Sequence, residues 1–251
     1  MPSDHEVAAD VATRAGAVLL ELRDRASTSA YDRWNLRDEG DWSAHQFIVE
    51  ALSELRPGDK VLSEEGPEDR SRLGARRVWI VDPLDGTREF GEPGRRDWAV
   101  HVALVDHAGT PIAGAVALPA ISVTLATDPP PAPPAARAGP LRVIVSRSRP
   151  PAAAVRIAEA LDADLVAMGS AGAKAMAVVL GDADVYCHAG GQYEWDNCAP
   201  AVVAMAAGLH ASRIDGSALV YNQPDPWLPD LLICRPELAE RSLLAIGAHA
   251  Q

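Results

Sequence analysis

The sequence has little cysteine, no long apolar run and a shortage of basic residues, and each scarcity excludes something. Only three cysteines occur in 251 residues, Cys187, Cys198 and Cys234, without Cys-x-x-Cys spacing. Neither a disulfide framework nor a structural zinc site is expected from them, and a reducing compartment fits. No apolar run approaches the roughly 20 residues that cross a bilayer, so no membrane association is expected. The N-terminus is acidic and polar, with no basic stretch leading into an apolar one, so a cytoplasmic location is expected rather than secretion. Lys and Arg number 23 against 35 Asp and Glu, a formal net charge of −12. That balance excludes a broad nucleic-acid surface, which needs a basic face, but leaves room for a small phosphorylated ligand held by metals and a few local cations. What is present is otherwise ordinary for a globular protein: 48% hydrophobic and 23% charged, with no internal repeat and enough length for a large core.

Apolar residues at Val7, Val11, Ala15, Val18, Leu19 and Leu22 give Glu6 to Arg25 a helical period, with Asp4 as its candidate cap. Arg33 to Gly40 is polar and reads as a loop. Phe47, Ile48, Ala51, Leu52 and Leu55 then mark a second helix, ended by Pro57-Gly58. Asp41 falls at the start of that helix, where capping is its ordinary role. Val61-Leu62 reads as a short strand running into Ser63-Glu64-Glu65-Gly66. Trp98 to Val105, Ile112 to Leu118 and Val123 to Ala126 read as further strands, the first two forming a hairpin, and His101 as a packed histidine within one of them. Asp128 to Pro140 carries six prolines and reads as an extended connector, which divides the chain into residues 1–138, of α+β character, and 139–251. In the second part, strands at Leu141 to Val145, Leu165 to Met168 and Ala183 to His188 alternate with helices at Ala152 to Leu161, Ala173 to Leu180 and Ala199 to Ala207. With Gly190-Gly191 as a turn, this pattern predicts α/β crossover units and a largely parallel sheet. From Leu219 onward, strand-like segments, a loop holding Pro224, Pro226 and Pro229, and a final helix carry no evident chemistry.

The chemistry concentrates in Val78 to Phe90, Val-Trp-Ile-Val-Asp-Pro-Leu-Asp-Gly-Thr-Arg-Glu-Phe. Val78 to Val81 reads as a buried strand ending at Asp82, with Pro83 stopping the ladder because it has no N–H to donate. Asp85 sits where an N-cap belongs, and Gly86 and Thr87 open the next turn with backbone N–H groups. Such donors suit a phosphate, and two carboxylates three residues apart around a bend suit hard cations. A lone Asp-Pro-x-Asp-Gly is more often a plain turn. Here Ser63-Glu64-Glu65 precedes it and Glu194-Trp195-Asp196 follows, although adjacent acids at a strand end are commonly solvated and Asp196 could simply cap a helix. Gly169-Ser170-Ala171-Gly172-Ala173-Lys174 adds a glycine-bearing strand-to-helix turn with neither Walker A nor dinucleotide spacing.

The ordered set Ser-Glu-Glu, Asp-Pro-Leu-Asp-Gly-Thr and Trp-Asp resembles the inositol monophosphatase-like family of metal-dependent, lithium-sensitive phosphatases, over nearly the whole chain. With Glu89 where inositol monophosphatases usually carry Asn, the motif is similar to the branch of 3′(2′),5′-bisphosphate nucleotidases of the CysQ type. The resemblance implies a layered αβαβα sandwich and hydrolysis of the 3′-phosphate of 3′-phosphoadenosine 5′-phosphate (PAP) to AMP, with its sulfated relative PAPS as a further substrate, in sulfur assimilation and nucleotide recycling. Inositol monophosphate or fructose 1,6-bisphosphate as substrate, and a binding protein without turnover, stay open as alternatives. It further implies a homodimer and two or three Mg²⁺ ions, with Mn²⁺ able to substitute, held by Glu64, Asp82, the carbonyl of Leu84, Asp85 and Asp196. Glu65 would stand close behind the ligands, and Thr87 with Asp41 would orient the attacking water. Gly86 and Thr87 would grip the phosphate, and Gly169, Ser170, Lys174 and Glu194 would approach the rest of the substrate. Lys174, Arg147, Arg88 and Arg95 or Arg96 are candidates for its second phosphate. The sequence departs from the family in Glu39-Gly40 before Asp41, in Cys198-Ala199-Pro200 after Asp196, and in Arg149 and His188 near the expected base and 5′-phosphate contacts. Electrostatics agree with bound metal: these acids cannot share a pocket as free anions beside a phosphate, and all-oxygen donors favour Mg²⁺ or Mn²⁺ over zinc.

Overall fold

A computed structural model describes residues 1–27, 33–132 and 138–247. The first helix, α1 (Asp4–Ser27), lies beside α2 (Arg33–Leu55). Both pack on one face of a five-stranded sheet in the order β1 (Lys60–Ser63), β2 (Arg77–Asp85), β3 (Ala99–Asp106), β4 (Pro111–Leu118) and β5 (Val123–Ala126). The second sheet runs in the order β7 (Asp164–Met168), β6 (Arg142–Ser146), β8 (Val185–Tyr193), β10 (Trp227–Cys234), β9 (His210–Ser212). Between the sheets lie α5 (Ala171–Val179) and α6 (Glu194–Ala206); on the outer face of the second sheet lie α4 (Ala152–Leu161) and α7 (Pro236–Gly247). The short helix α3 (Thr87–Phe90) follows β2. The layers are therefore αβαβα, as the family resemblance implies.

The period of two along each strand builds these layers. Trp79 and Val81 of β2, with Val100, Val102 and Leu104 of β3, join Val11, Leu19, Ile48 and Leu52 in the outer core. The alternate residues Val78, Ile80, Ala99, Ala103 and Val105 turn inward onto α5 and α6, where Tyr186, Leu231 and Ile233 of the second sheet meet them. Asp82 and His101 share that inward parity and stand opposite each other across β2 and β3. Polar groups are thus aimed into the middle layer at the end of an apolar strand.

Several local expectations are corrected. Residues 33–40 are helical, so Asp41 lies inside α2 and caps nothing. At α1 the capping pair is Ser3 with Glu6, whose backbone N–H groups bond each other's side chains at 2.7 and 3.2 Å, while Asp4 binds arginines. Pro83 does not end β2, which continues to Asp85 through a bulge against β3. Gly86, not Asp85, stands at the cap of α3. Gly190 and Gly191 lie within β8, and Pro229 lies in β10. The second sheet is mixed: β6 is parallel to β7 and β8, whereas β10 is antiparallel to β8 and β9.

Candidate functional site

Three elements bring acids together at the end of β2. The bulge in β2 supplies Asp82 and Asp85, and the first turn of α6 supplies Asp196; one carboxylate oxygen from each lies within 4.8 Å of the others. Asp82 is 1% exposed. Burial, reinforced by Glu64, Asp85 and Asp196, pushes its carboxyl well above the ordinary range, although the Leu84 N–H bonds it at 3.0 Å. Glu64 stands on the rim where β1 ends, and burial of its carboxyl, then Asp196 and the neighbouring acids, raises it to about 7. Asp196 is raised to about 6, first by burial and then by Asp85, and accepts the Tyr193 N–H at 2.7 Å. It therefore caps α6 and faces the cluster at once. Glu65 is exposed, and its charge is felt by both Glu64 and Asp41.

Asp85 behaves differently from its neighbours. It accepts from the N–H groups of Ala171 at 3.0 Å and Gly172 at 2.6 Å and from the Ser170 hydroxyl, so it closes the N-terminus of α5 across the middle layer. His101, fully buried, places Nε2 at 3.2 Å from Asp85 Oδ2 and Nδ1 at 2.9 Å from the carbonyl oxygen of Trp195. A carbonyl can only accept, so Nδ1 carries a hydrogen. Burial alone would raise Asp85, yet His101, Lys174 and Ser170 outweigh it and hold the carboxyl below its usual range. The imidazole is lifted in turn, Asp85 overcoming the effect of burial.

The Thr87 hydroxyl lies 3.2 Å from Asp41 Oδ1 and 3.1 Å from the carbonyl of buried Leu84. One helical turn beyond Asp41, His45 Nδ1 lies 2.8 Å from the hydroxyl of Ser63, which directly precedes Glu64. Burial, then Glu65, raises Asp41 to about 7.

The expected substrate contacts divide. Gly86 and Thr87 lie where β2 passes into α3, beside the cluster. Gly169 gives its N–H to Asp97 at 2.7 Å and Ser170 gives its hydroxyl to Asp85, so both serve the scaffold. Lys174 is no surface residue: it is 5% exposed, donates to the Ser170 carbonyl and lies 5.4 Å from the Tyr186 ring centroid. Glu194 is fully buried and accepts the N–H groups of Asn222 at 2.7 Å and Gln223 at 2.8 Å, one on each carboxylate oxygen. Asn222 and Gln223 also bind the buried Arg72, so the tail does hold part of the site's frame. Arg147 bonds Glu89 at 2.6 Å and Glu92 at 3.2 Å, and Arg88 lies near Glu92 on the surface. Arg95 pairs with Asp97. His45, Arg72 and Asp97 were not singled out by the sequence; His101 is the packed strand histidine the sequence indicated, and the inward parity of β3 was the signal that could have shown which layer it faces.

The donor set fits a hard divalent cation. Among the described residues, the one ion-pair contact of the buried Asp82 carboxylate is His101 at 3.9 Å, a ring that also faces Asp85, so four acids, Glu64, Asp82, Asp85 and Asp196, share His101 and Lys174 as their cations.

Comparison with known proteins agrees with this architecture. Residues 3–246 match the model of the Inositol monophosphatase family. The chain is 53% identical over 240 residues to the 3′-phosphoadenosine 5′-phosphate phosphatase of Mycobacterium tuberculosis (strain CDC 1551 / Oshkosh), covering 93% of this chain and 89% of the relative. It is 31% identical over 236 residues to the 3′(2′),5′-bisphosphate nucleotidase CysQ of Escherichia coli (strain K12), covering 87% and 94%. Among solved structures, CysQ from Bacteroides thetaiotaomicron superposes with a TM-score of 0.77 at 26% identity, covering 92% of this chain and 97% of that one. Inositol monophosphatase II from Staphylococcus aureus MSSA476 shares the fold, with a TM-score of 0.79 at 21% identity, covering 97% and 93%.

Proposed function

The chain belongs to the inositol monophosphatase family, and on that footing we propose that it is a Mg²⁺-dependent phosphatase removing the 3′-phosphate of PAP. The observation that carries the reading is the meeting of Asp82, Asp85 and Asp196 within 4.8 Å, beside a threonine held by a carboxyl group. The relatives named as PAP phosphatase and bisphosphate nucleotidase direct the choice of substrate. Glu64, Asp82, the Leu84 carbonyl and Asp85, all within residues 1–138, would hold the metal together with Asp196 from residues 139–251. Bound there, divalent ions supply neutralising charge for the acids and the phosphate and a water of lowered pKa. The protein's own part is orientation. Thr87 and Asp41 align the attacking water with phosphorus, and the N–H groups of Gly86 and Thr87 receive the phosphate oxygens. Arg147, at the edge of the site, is the cation we assign to the 5′-phosphate, released from Glu89 and Glu92 as substrate enters.

The test is phosphate release from PAP, inositol 1-phosphate and fructose 1,6-bisphosphate side by side, with ample Mg²⁺. PAP is expected to give the highest kcat/KM, and faster turnover of either sugar phosphate overturns the substrate. Asp82→Asn is expected to abolish turnover with the fold intact by circular dichroism; full activity in that variant refutes the assigned ligands.

A further inference from the structure

We propose that His101 is a positioning residue that fixes Asp85 against the first turn of α6, and that Gly172 exists to make room for it. The proposal rests on the reading above of Asp85 and Asp196 as metal ligands. His101 sits on β3 opposite Asp82, and its ring meets the first turns of α5 at Gly172 and of α6 at Trp195. Nε2 stands 3.2 Å from Asp85 Oδ2 as an ion-pair contact without hydrogen-bond geometry, and Nδ1 bonds the Trp195 carbonyl at 2.9 Å, one residue before Asp196. A single rigid ring thus ties the carboxylate borne on β2 to the backbone of the helix that bears the other carboxylate. The two acids come from parts of the chain more than 100 residues apart, and their spacing is otherwise set only through the packing of whole elements.

Gly172 shows how closely the ring is fitted. It stands in the first turn of α5, a place where alanine is the better helix former. A Cβ built there would meet His101 Nε2 at 2.0 Å and two ring carbons at 3.0 Å. Its backbone N–H donates to the same Asp85 oxygen that the ring approaches, at 2.6 Å. The absent side chain and the imidazole therefore form a matched pair: the helix gives up a methyl group so that the ring and the amide converge on one oxygen.

Mn²⁺ binding to the substrate-free protein, measured by titration calorimetry, tests this without reference to turnover. His101→Ala should raise the Kd for Mn²⁺ about ten- to hundredfold, the usual effect of removing a group that orients a ligand. Gly172→Ala should do the same in the wild-type background by displacing the ring, but should cost less than about twofold when His101 is already alanine, which is a double-mutant coupling that general destabilisation does not produce. Melting temperatures in EDTA report folding separately. Mn²⁺ affinity unchanged or tightened in His101→Ala, or equal damage from Gly172→Ala in both backgrounds, overturns the proposal. Asp82→Asn run alongside should lose Mn²⁺ binding. If it binds like wild type, the ligand reading itself has failed and the role of His101 falls with it; if only the His101 arms stay silent, that reading stands and this proposal does not.

Discussion

Thr87 has a single proton and two acceptors, Asp41 and the Leu84 carbonyl, at nearly equal distance. Which one it serves depends on Asp41, whose carboxyl is raised to about 7, mainly by burial. An ionised Asp41 draws the proton and leaves a lone pair of the hydroxyl facing outward; a protonated Asp41 donates instead and frees the hydroxyl proton for Leu84. In the first state both lone pairs of the hydroxyl stay free to accept from a water, and the carboxylate charge behind it favours drawing a proton from that water. Thr87→Ala should therefore lower kcat for PAP by about a hundredfold, the lower range for losing a positioned proton-handling group. Thr87→Ser should retain most of it. Mn²⁺ affinity in calorimetry should change little in either variant, because the hydroxyl is not among the assigned metal ligands. A kcat close to wild type in Thr87→Ala would remove this residue from the mechanism.

At the scale of elements, the frame of the site depends on ties between helix ends and strand starts. Asp4, in the first turn of α1, accepts from Arg77 Nη1 and Nη2 at 2.9 and 2.8 Å, where β2 begins, and from Arg56 Nε at 2.8 Å, just past α2. The Arg77 hydrogen bond is the largest influence on Asp4 and holds its carboxyl at about 2, below the ordinary 3.8. A depressed acid contributes stability that is present above its unfolded value and lost as pH falls through the folded one, here between about pH 4 and pH 2. The shift corresponds to about 2 kcal/mol. Asp4→Asn should thus lower Tm by about 4–8 °C at pH 6, with the gap from wild type closing by pH 2 in a thermal-melt series. The same scale shows why some elements were legible and others were not. Strands β2 to β4 and helices α1 and α4 carry their own periodicity. The start of α2 does not: its residues are polar, and it is held by Leu36 in the core and by Gly40, where a Cβ would meet Phe90 at 2.8 Å and Leu84 at 3.0 Å. Those contacts join distant residues, so local pattern gave no sign of them. Likewise, Gly190 and Gly191 read as a turn, but pairing with β10 on either side carries the strand through. The ligand motifs were visible because short runs bear them. Their supports, Arg72, Asp97 and the partners of the packed His101, became visible only once the layers had assembled.

Over the whole molecule, the site is a concentration of like charge built into a protein that already carries −12. Asp41 and Glu64 are raised to about 7 and Asp196 to about 6, each first by burial, and Asp82 is raised as well. A raised acid contributes stability that is fully present below its unfolded value, near pH 4, and lost as pH climbs through the folded value. Asp85 opposes this, since His101 and Lys174 hold it low despite its burial, but it is outnumbered by the acids that are raised. The metal-free protein should therefore become less stable between about pH 4 and pH 7, the reverse of the trend that Asp4 sets at lower pH. Divalent cations bind the ionised form, so Mg²⁺ should restore stability in the range where it was lost. At a concentration a hundredfold above its Kd, the gain is about 2.7 kcal/mol, or about 5–10 °C in Tm for a chain of this size. Melting curves in EDTA and in saturating Mg²⁺ from pH 5 to pH 8 decide the matter: the EDTA curve should fall and the separation between the two should widen with pH. An EDTA curve that rises over that interval, or a separation that is constant, would mean that these acids are not held together as a charged cluster awaiting a cation.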